Sequence, residues 1–303
     1  MEGSAGTSPV RGPLASLTSV FLYGHGLLAI GAAAQRWWLG ELGIPTNWKG
    51  ILASAMITIA GYGYLRLVRA SEPDPIPSPH IHWFRRHRAF MWGLVLLFCA
   101  AAIGLSLGQR LLLGPWSLAV VVVSGLYLLP LIGRSGKAVG LREIPGVKAF
   151  LVAAAWTFVT CGLVDADGRF DRELVVCLAI TQFCFFLALA IAFDIGDLRY
   201  DRPGLRTIPQ LLGIRGAKVL AILLLLPWLW YYLVFVILTC SPIEQGWREP
   251  AVDLIFMLPL LGMVLTAFVI AFVNPGRPKS YFAITLDGMV LLIPLLGWIG
   301  GRL

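Results

Sequence analysis

Charge is scarce in this sequence: only 13% of its 303 residues are Asp, Glu, Lys or Arg, about half the usual share of a soluble domain. So few charges cannot clothe a water-facing globular surface. Cysteine is equally sparse. The five present, Cys99, Cys161, Cys177, Cys184 and Cys240, form no C-x-x-C pair and fall mostly within apolar runs, which argues against a disulfide framework or a zinc site and for small packing side chains. Histidine is limited to four residues. His80, His82 and His87 have no cysteine or carboxylate company, and His25 stands alone in an apolar run, where a hydrogen bond between helices is the plainer use of its ring.

What is abundant is apolar surface. Hydrophobic residues make up 58% of the chain, and runs near the ~20 residues needed to cross a bilayer recur along its length. Nine are identified, at about 14–35, 50–69, 89–108, 112–132, 147–164, 173–193, 218–239, 252–273 and 281–300. The expected class is therefore all-α: a polytopic membrane protein, a bundle of nine transmembrane helices forming one domain over 14–303. Residues 1–13, rich in Gly, Ser and Pro, are expected to be a disordered cytoplasmic tail.

The net charge of +8 would point to nucleic acid in a soluble protein, but its distribution points to a membrane. Most of the 24 Lys and Arg fall in the connections on one side of the nine spans. By the positive-inside rule that side is cytoplasmic, which puts the N-terminus inside and the C-terminus on the opposite side. Pro73, Pro75, Pro77 and Pro79 alternate and predict an extended connector. The basic and aromatic run His80-Ile81-His82-Trp83-Phe84-Arg85-Arg86-His87-Arg88 reads as an interfacial segment in contact with anionic membrane lipids.

The most polar passage of the chain begins at Phe193. On a helix Asp194, Asp197 and Asp201 fall at i, i+3 and i+7, one stripe of three carboxylates. Such close anions call for a cation, and oxygen-only ligands suit Mg2+ shared with the oxygens of a phosphate substrate. The plain alternative is a solvated loop whose aspartates balance Arg199, Arg202 and Arg206. Asp287, inside the ninth span, is a costly carboxylate that should face the bundle interior.

The pattern Asp197-x-x-x-Asp201, then Gly204, Arg206-Thr207, Ile208 and Gly213, resembles the second aspartate-rich motif of the UbiA family of intramembrane prenyltransferases. The ending Tyr127-x-x-Pro130 of the fourth span and Lys148 at the opening of the fifth are similar to features of that family too. The family's first motif, N-D-x-x-D-x-x-x-D, is degenerate: between Gly61 and Asp74 only Glu72 or Asp74 can stand for its last carboxylate, and Arg66 and Arg69 occupy the place of the earlier acids. Two arginines at a helix end also serve simply as headgroup anchors.

The resemblance implies Mg2+ as cofactor and, as partners, a prenyl diphosphate, a lipophilic acceptor and membrane lipids, with no nucleic acid. It implies metal ligation by Asp194, Asp197 and Asp201, catalytic roles for Asp197, Asp201 and Lys148, and substrate binding by Arg66, Arg69, Arg206, Tyr127 and Asp287. A hybrid clamp is chemically sound, because arginine binds phosphate oxygens directly. The competing expectation is a catalytically inactive lipid-binding or scaffold protein on the same fold, its cavity closed by salt bridges between Arg66 or Arg69 and the aspartates.

Overall fold

Long apolar runs that must satisfy their own backbone hydrogen bonds in lipid form helices. The computed structural model describes residues 21, 25–71, 79–107, 130–132, 138–140, 146–162, 172–199, 206–240 and 251–303. In chain order these carry α1 (Gly26–Glu41), α2 (Trp48–Ser71), α3 (Pro79–Arg86), α4 (Arg88–Leu107), β1 (Pro130–Ile132), β2 (Ala138–Gly140), α5 (Val147–Thr157) running into a π-helical turn (Phe158–Gly162), α6 (Arg172–Asp197), α7 (Ile208–Leu223), α8 (Leu226–Cys240), α9 (Ala251–Phe272) and α10 (Lys279–Gly300).

Four stretches are long and apolar enough to cross a membrane: Trp48–Val68, Arg88–Leu107, Arg172–Asp197 and Ile208–Val234. Val147–Gly162, Met257–Phe272 and Ile284–Gly300 are shorter apolar helices. This is an integral membrane protein, although the expected count of nine spans is not reached among the described residues. Most of the fourth span, the tail 1–13 and the connector 72–78 lie outside them. Large apolar side chains face outward, as at Leu96, Trp230 and Phe268, where a lipid-facing surface wants them.

Several boundaries differ from the sequence expectation. The chain is not purely helical, because Pro130–Ile132 pairs antiparallel with Ala138–Gly140, so the end of the expected fourth span is extended. Pro79 opens α3 instead of continuing the connector, since a proline in the first turn forfeits no helical hydrogen bond. The expected first span is interrupted at His25, whose backbone is left-handed (φ 62°) just before α1. Its ring packs between Tyr62 and Phe84, with centroids at 5.2 and 6.1 Å. The seventh span starts near Ile208, ten residues earlier than expected, because Gln210 Oε1 accepts the Thr207 N–H at 3.1 Å and caps the turn. That helix is broken at Gly213 (φ 71°, ψ 166°), a conformation that costs a residue without Cβ nothing.

The core joins α1, α5, α7, α8, α9 and α10 around α6, whose stretch Phe185–Ala192 is buried throughout. A polar chain crosses it. Gln182 Nε2 donates to Gln35 Oε1 at 3.0 Å, and Gln35 Nε2 donates to the Val290 carbonyl at 2.8 Å. Val290 is available because Pro294, four residues on in α10, has no N–H to give it. Replacing Gln35 by Leu strands both neighbours and should cost about 1–2 kcal/mol, near the upper range for hydrogen bonds in membrane bundles. The double change with Gln182→Leu should cost less than the single one, as read by thermal unfolding in detergent.

Arg36, 1% exposed, donates to the Thr160 carbonyl at 2.9 Å and to the Pro45 carbonyl at 3.0 Å. It thereby fixes the π-helical turn against the α1–α2 connection. The sequence expectation gave this arginine no role, since it lies one residue past the expected first span.

Candidate active site at the end of α6

The beginnings of α1, α5 and α10 lie at the same end of the bundle as the ends of α2 and α6. That alternation brings the candidate residues together. Lys148, the second residue of α5, places its Nζ 2.7 Å from Asp194 Oδ1 and 3.7 Å from Asp197 Oδ2. The Asp194 side chain is 4% exposed, Asp197 24% and Lys148 20%. The site therefore runs from a sealed carboxylate outward to one that water reaches.

None of these charges is favoured by its own helix. Asp194 and Asp197 are in the last turn of α6, at the negative end of the helix dipole, and Lys148 is in the first turn of α5, at the positive end. Each placement is unfavourable by about 0.3–1 kcal/mol. Their mutual pairing offsets this, a pattern expected where local rules yield to function.

The scaffold around the pair is tight. Gly196, between the two aspartates, lies so close to the Phe282 ring of α10 that any added Cβ would collide with it. The Gly146 amide, just before α5, donates to the Arg206 carbonyl at 3.2 Å, which ties the start of α5 to the segment entering α7. Arg206 is exposed and left-handed (φ 46°), a conformation costing a residue with Cβ about 1–2 kcal/mol. Arg206→Gly should therefore raise thermal stability by about 1 kcal/mol, whereas Arg206→Ala should not, a contrast that differential scanning of the purified protein will read.

Across the bundle, Arg66 of α2 interacts electrostatically with Asp287 of α10. Phe282, which packs on Gly196, is five residues from Asp287, so Asp287 is at the same end of the bundle as the Lys148–Asp194 pair. An aromatic cluster that the sequence reading missed joins α2, α5 and α6. Trp156 Nε1 of α5 donates to Tyr62 Oη of α2 at 2.7 Å, and the Trp156 ring stacks on Phe186 of α6 at 4.7 Å. Its only signal was a tryptophan in mid-span and a tyrosine on a helix far from it in sequence.

The stripe itself is shorter than expected. Among the described residues the stripe comprises Asp194 and Asp197, because α6 ends at Asp197. Asp201, Tyr127 and the Arg69 side chain lie outside the described residues.

For a metal, the donors on α6 are hard oxygens, and Asp194 Oδ1 and Asp197 Oδ2 already converge on a single cationic atom. That geometry fits one Mg2+, which takes one or two carboxylates and completes its shell with water and phosphate. The α2 side does not fit a metal, since Arg66 is a cation. No cluster of three or more His, Cys, Asp or Glu side chains suited to a metal occurs among the described residues.

Neither a protein-family model nor a curated protein matches the sequence. Solved structures do. A UbiA homolog from Archaeoglobus fulgidus bound to GPP and Mg2+ superposes with a TM-score of 0.60 at 11% identity, over 94% of this chain and 100% of that one. The chain has the UbiA fold. The same Archaeoglobus homolog bound to DMAPP and Mg2+ gives 0.57 at 12% identity over 94% and 99% of the two chains. The apo UbiA homolog from Aeropyrum pernix K1 gives 0.55 at 16% over 92% and 95%. The UbiA fold thus extends over nearly the whole chain, from α1 to α10.

Proposed function

We propose that this protein is an integral membrane prenyltransferase that uses Mg2+ at the α6 carboxylates to ionise a prenyl diphosphate, whose prenyl group passes to a lipophilic acceptor. The observation that carries the reading is the convergence of Asp194 and Asp197 on one cationic point. Support comes from the fold, whose Archaeoglobus examples are bound to GPP or DMAPP and Mg2+.

Asp194 and Asp197, joined by Asp201 beyond the helix end, are the residues that would hold Mg2+. When bound it would neutralise the diphosphate and make it a better leaving group. Lys148 supplies three donors to the phosphate oxygens, while Arg66 offers its guanidinium from the opposite side. Arg69, Arg206 and Tyr127 are the further substrate-binding residues in this reading. The bond that breaks joins the prenyl C1 to a diphosphate oxygen. Its electron pair leaves with the diphosphate, an electron pair of the acceptor closes on C1, and the acceptor gives up a proton. Tyr62, Trp156 and Phe186 exclude water and face the allylic cation with π-electron density.

In this reading the Asp194 end faces the cytoplasm, in line with the Lys and Arg distribution, with the N-terminus inside and the C-terminus outside. The competing role as a non-catalytic lipid-binding or scaffold protein draws on Arg66 replacing the first aspartate motif. One assay separates the two. The purified protein in detergent should release pyrophosphate from dimethylallyl, geranyl, farnesyl or geranylgeranyl diphosphate when Mg2+ is present and stop when EDTA is added. No release from any of the four, with a range of phenolic and lipid acceptors supplied, would overturn the prenyltransferase reading.

A further inference from the structure

The ammonium of Lys148 stands between two carboxylates, 2.7 Å from Asp194 Oδ1 and 3.7 Å from Asp197 Oδ2. This is the position a divalent ion needs in order to use the same oxygens. An ammonium and a divalent cation cannot share two carboxylates at such distances without strong mutual repulsion. Asp194 is sealed from water, so without a cation its charge would be stranded. We infer that Lys148 is the resident cation of the Asp194–Asp197 pair, that metal enters only as the ammonium withdraws, and that the diphosphate is what draws it away. The inference rests on the prenyl diphosphate reading above and deepens it, by making metal affinity conditional on substrate.

The surroundings allow the exchange. Lys148 carries a flexible four-carbon stem with three rotatable donors, and its side chain is 20% exposed, so the head group can swing outward without unpacking α5. The helix need not move, because its start is fastened through the Gly146 amide to the Arg206 carbonyl. A diphosphate at the mouth offers the ammonium several anionic oxygens in place of two carboxylate oxygens, and the vacated oxygens then become metal ligands. Linkage requires the effect to be reciprocal: whatever factor the diphosphate adds to metal affinity, the metal adds to diphosphate affinity. An empty enzyme would thus keep its acidic pair neutralised and not collect metal without substrate.

The test is Mn2+ electron paramagnetic resonance on the full-length protein in detergent, with Mn2+ alone and with geranyl thiolodiphosphate, which resists ionisation. In the wild type the analogue should tighten Mn2+ binding by about 5–150-fold, the usual span of coupling between two sites. Lys148→Met should bind Mn2+ without the analogue at least about tenfold more tightly than the wild type does, and should lose most of the analogue's effect. Lys148→Arg keeps the charge, so it protects the fold should the Met variant fail to accumulate. Its guanidinium can grip both carboxylates and should weaken Mn2+ binding in the presence of the analogue. Equal Mn2+ affinity in wild type and Lys148→Met without analogue, or unaltered affinity in Lys148→Arg with it, would overturn the inference. If the wild type gains no Mn2+ signal with the analogue while Lys148→Met gains the analogue-independent site, the resident lysine stands and the prenyl diphosphate reading falls.

Discussion

Asp197→Ala should lower the rate of Mg2+-dependent pyrophosphate release by about 10²–10³-fold, the usual cost of deleting one charge-stabilising group at a reacting centre. It should leave the unfolding temperature nearly unchanged. Asp197 is 24% exposed and 3.7 Å from Lys148, so its ion pair contributes no more than about 1 kcal/mol. Removing a carboxylate from the negative end of α6 returns about 0.3–1 kcal/mol, and the two nearly cancel. Asp194→Ala should be equally inactive but visibly less stable. Its carboxylate is 4% exposed and 2.7 Å from the ammonium, and its loss leaves Lys148 without the nearer partner, at a cost of about 3 kcal/mol, the lower end for breaking a buried pair. Two aspartates one turn apart should therefore differ in melting and agree in rate. Scanning fluorimetry alongside the pyrophosphate assay reads both, and an Asp197 variant that loses several degrees along with its activity would count against this division of roles.

Arg66→Ala should destabilise the solubilised protein, by up to the ~3 kcal/mol typical of breaking a buried pair, because the Arg66 guanidinium is proposed to pair with Asp287 on α10. Asp287→Ala combined with it should recover part of the loss, giving a coupling of about 1–3 kcal/mol in a double-mutant cycle. A zero coupling between Arg66 and Asp287 would reassign Arg66 to headgroup anchoring. The catalytic consequence is separate. With a cation in place of the first aspartate motif, Arg66 is the group proposed to meet the diphosphate opposite α6, so Arg66→Ala should also raise the KM for geranyl diphosphate, whereas Asp287→Ala should do so only through the freed guanidinium.

The membrane character and the helical architecture were legible in the sequence because apolar run length maps almost directly onto helices that must satisfy their own backbone in lipid. Helix ends were not. The start of α7 depends on Gln210 reaching back to the Thr207 amide, and the break before α1 on the left-handed backbone of His25. Neither leaves a mark in a hydropathy profile. The same difference holds at the site. Asp194 and Asp197 were visible as a spaced acidic pair, and Lys148 as a basic residue opening a span. Their meeting is a tertiary fact, set by the antiparallel packing of α5 on α6 and by the close approach that Gly196 permits to Phe282. α6 ends at Asp197, and Asp201, the expected third member of the stripe, lies outside the described residues. Trp156 and Tyr62 were hidden because aromatic residues are too common in membrane spans for one hydrogen-bonded pair to stand out.

The central claim is that the carboxylates at the end of α6 hold the metal that binds a prenyl diphosphate. It is tested most directly by a crystal structure of the protein with geranyl thiolodiphosphate and Mn2+, phased to show anomalous scattering from the metal. The account predicts an anomalous peak at roughly 2.0–2.2 Å from oxygens of Asp194 and Asp197, bridging to the diphosphate, with the Arg66 guanidinium on the opposite phosphate face. A diphosphate bound elsewhere, or a metal peak with no contact to either aspartate, would contradict it.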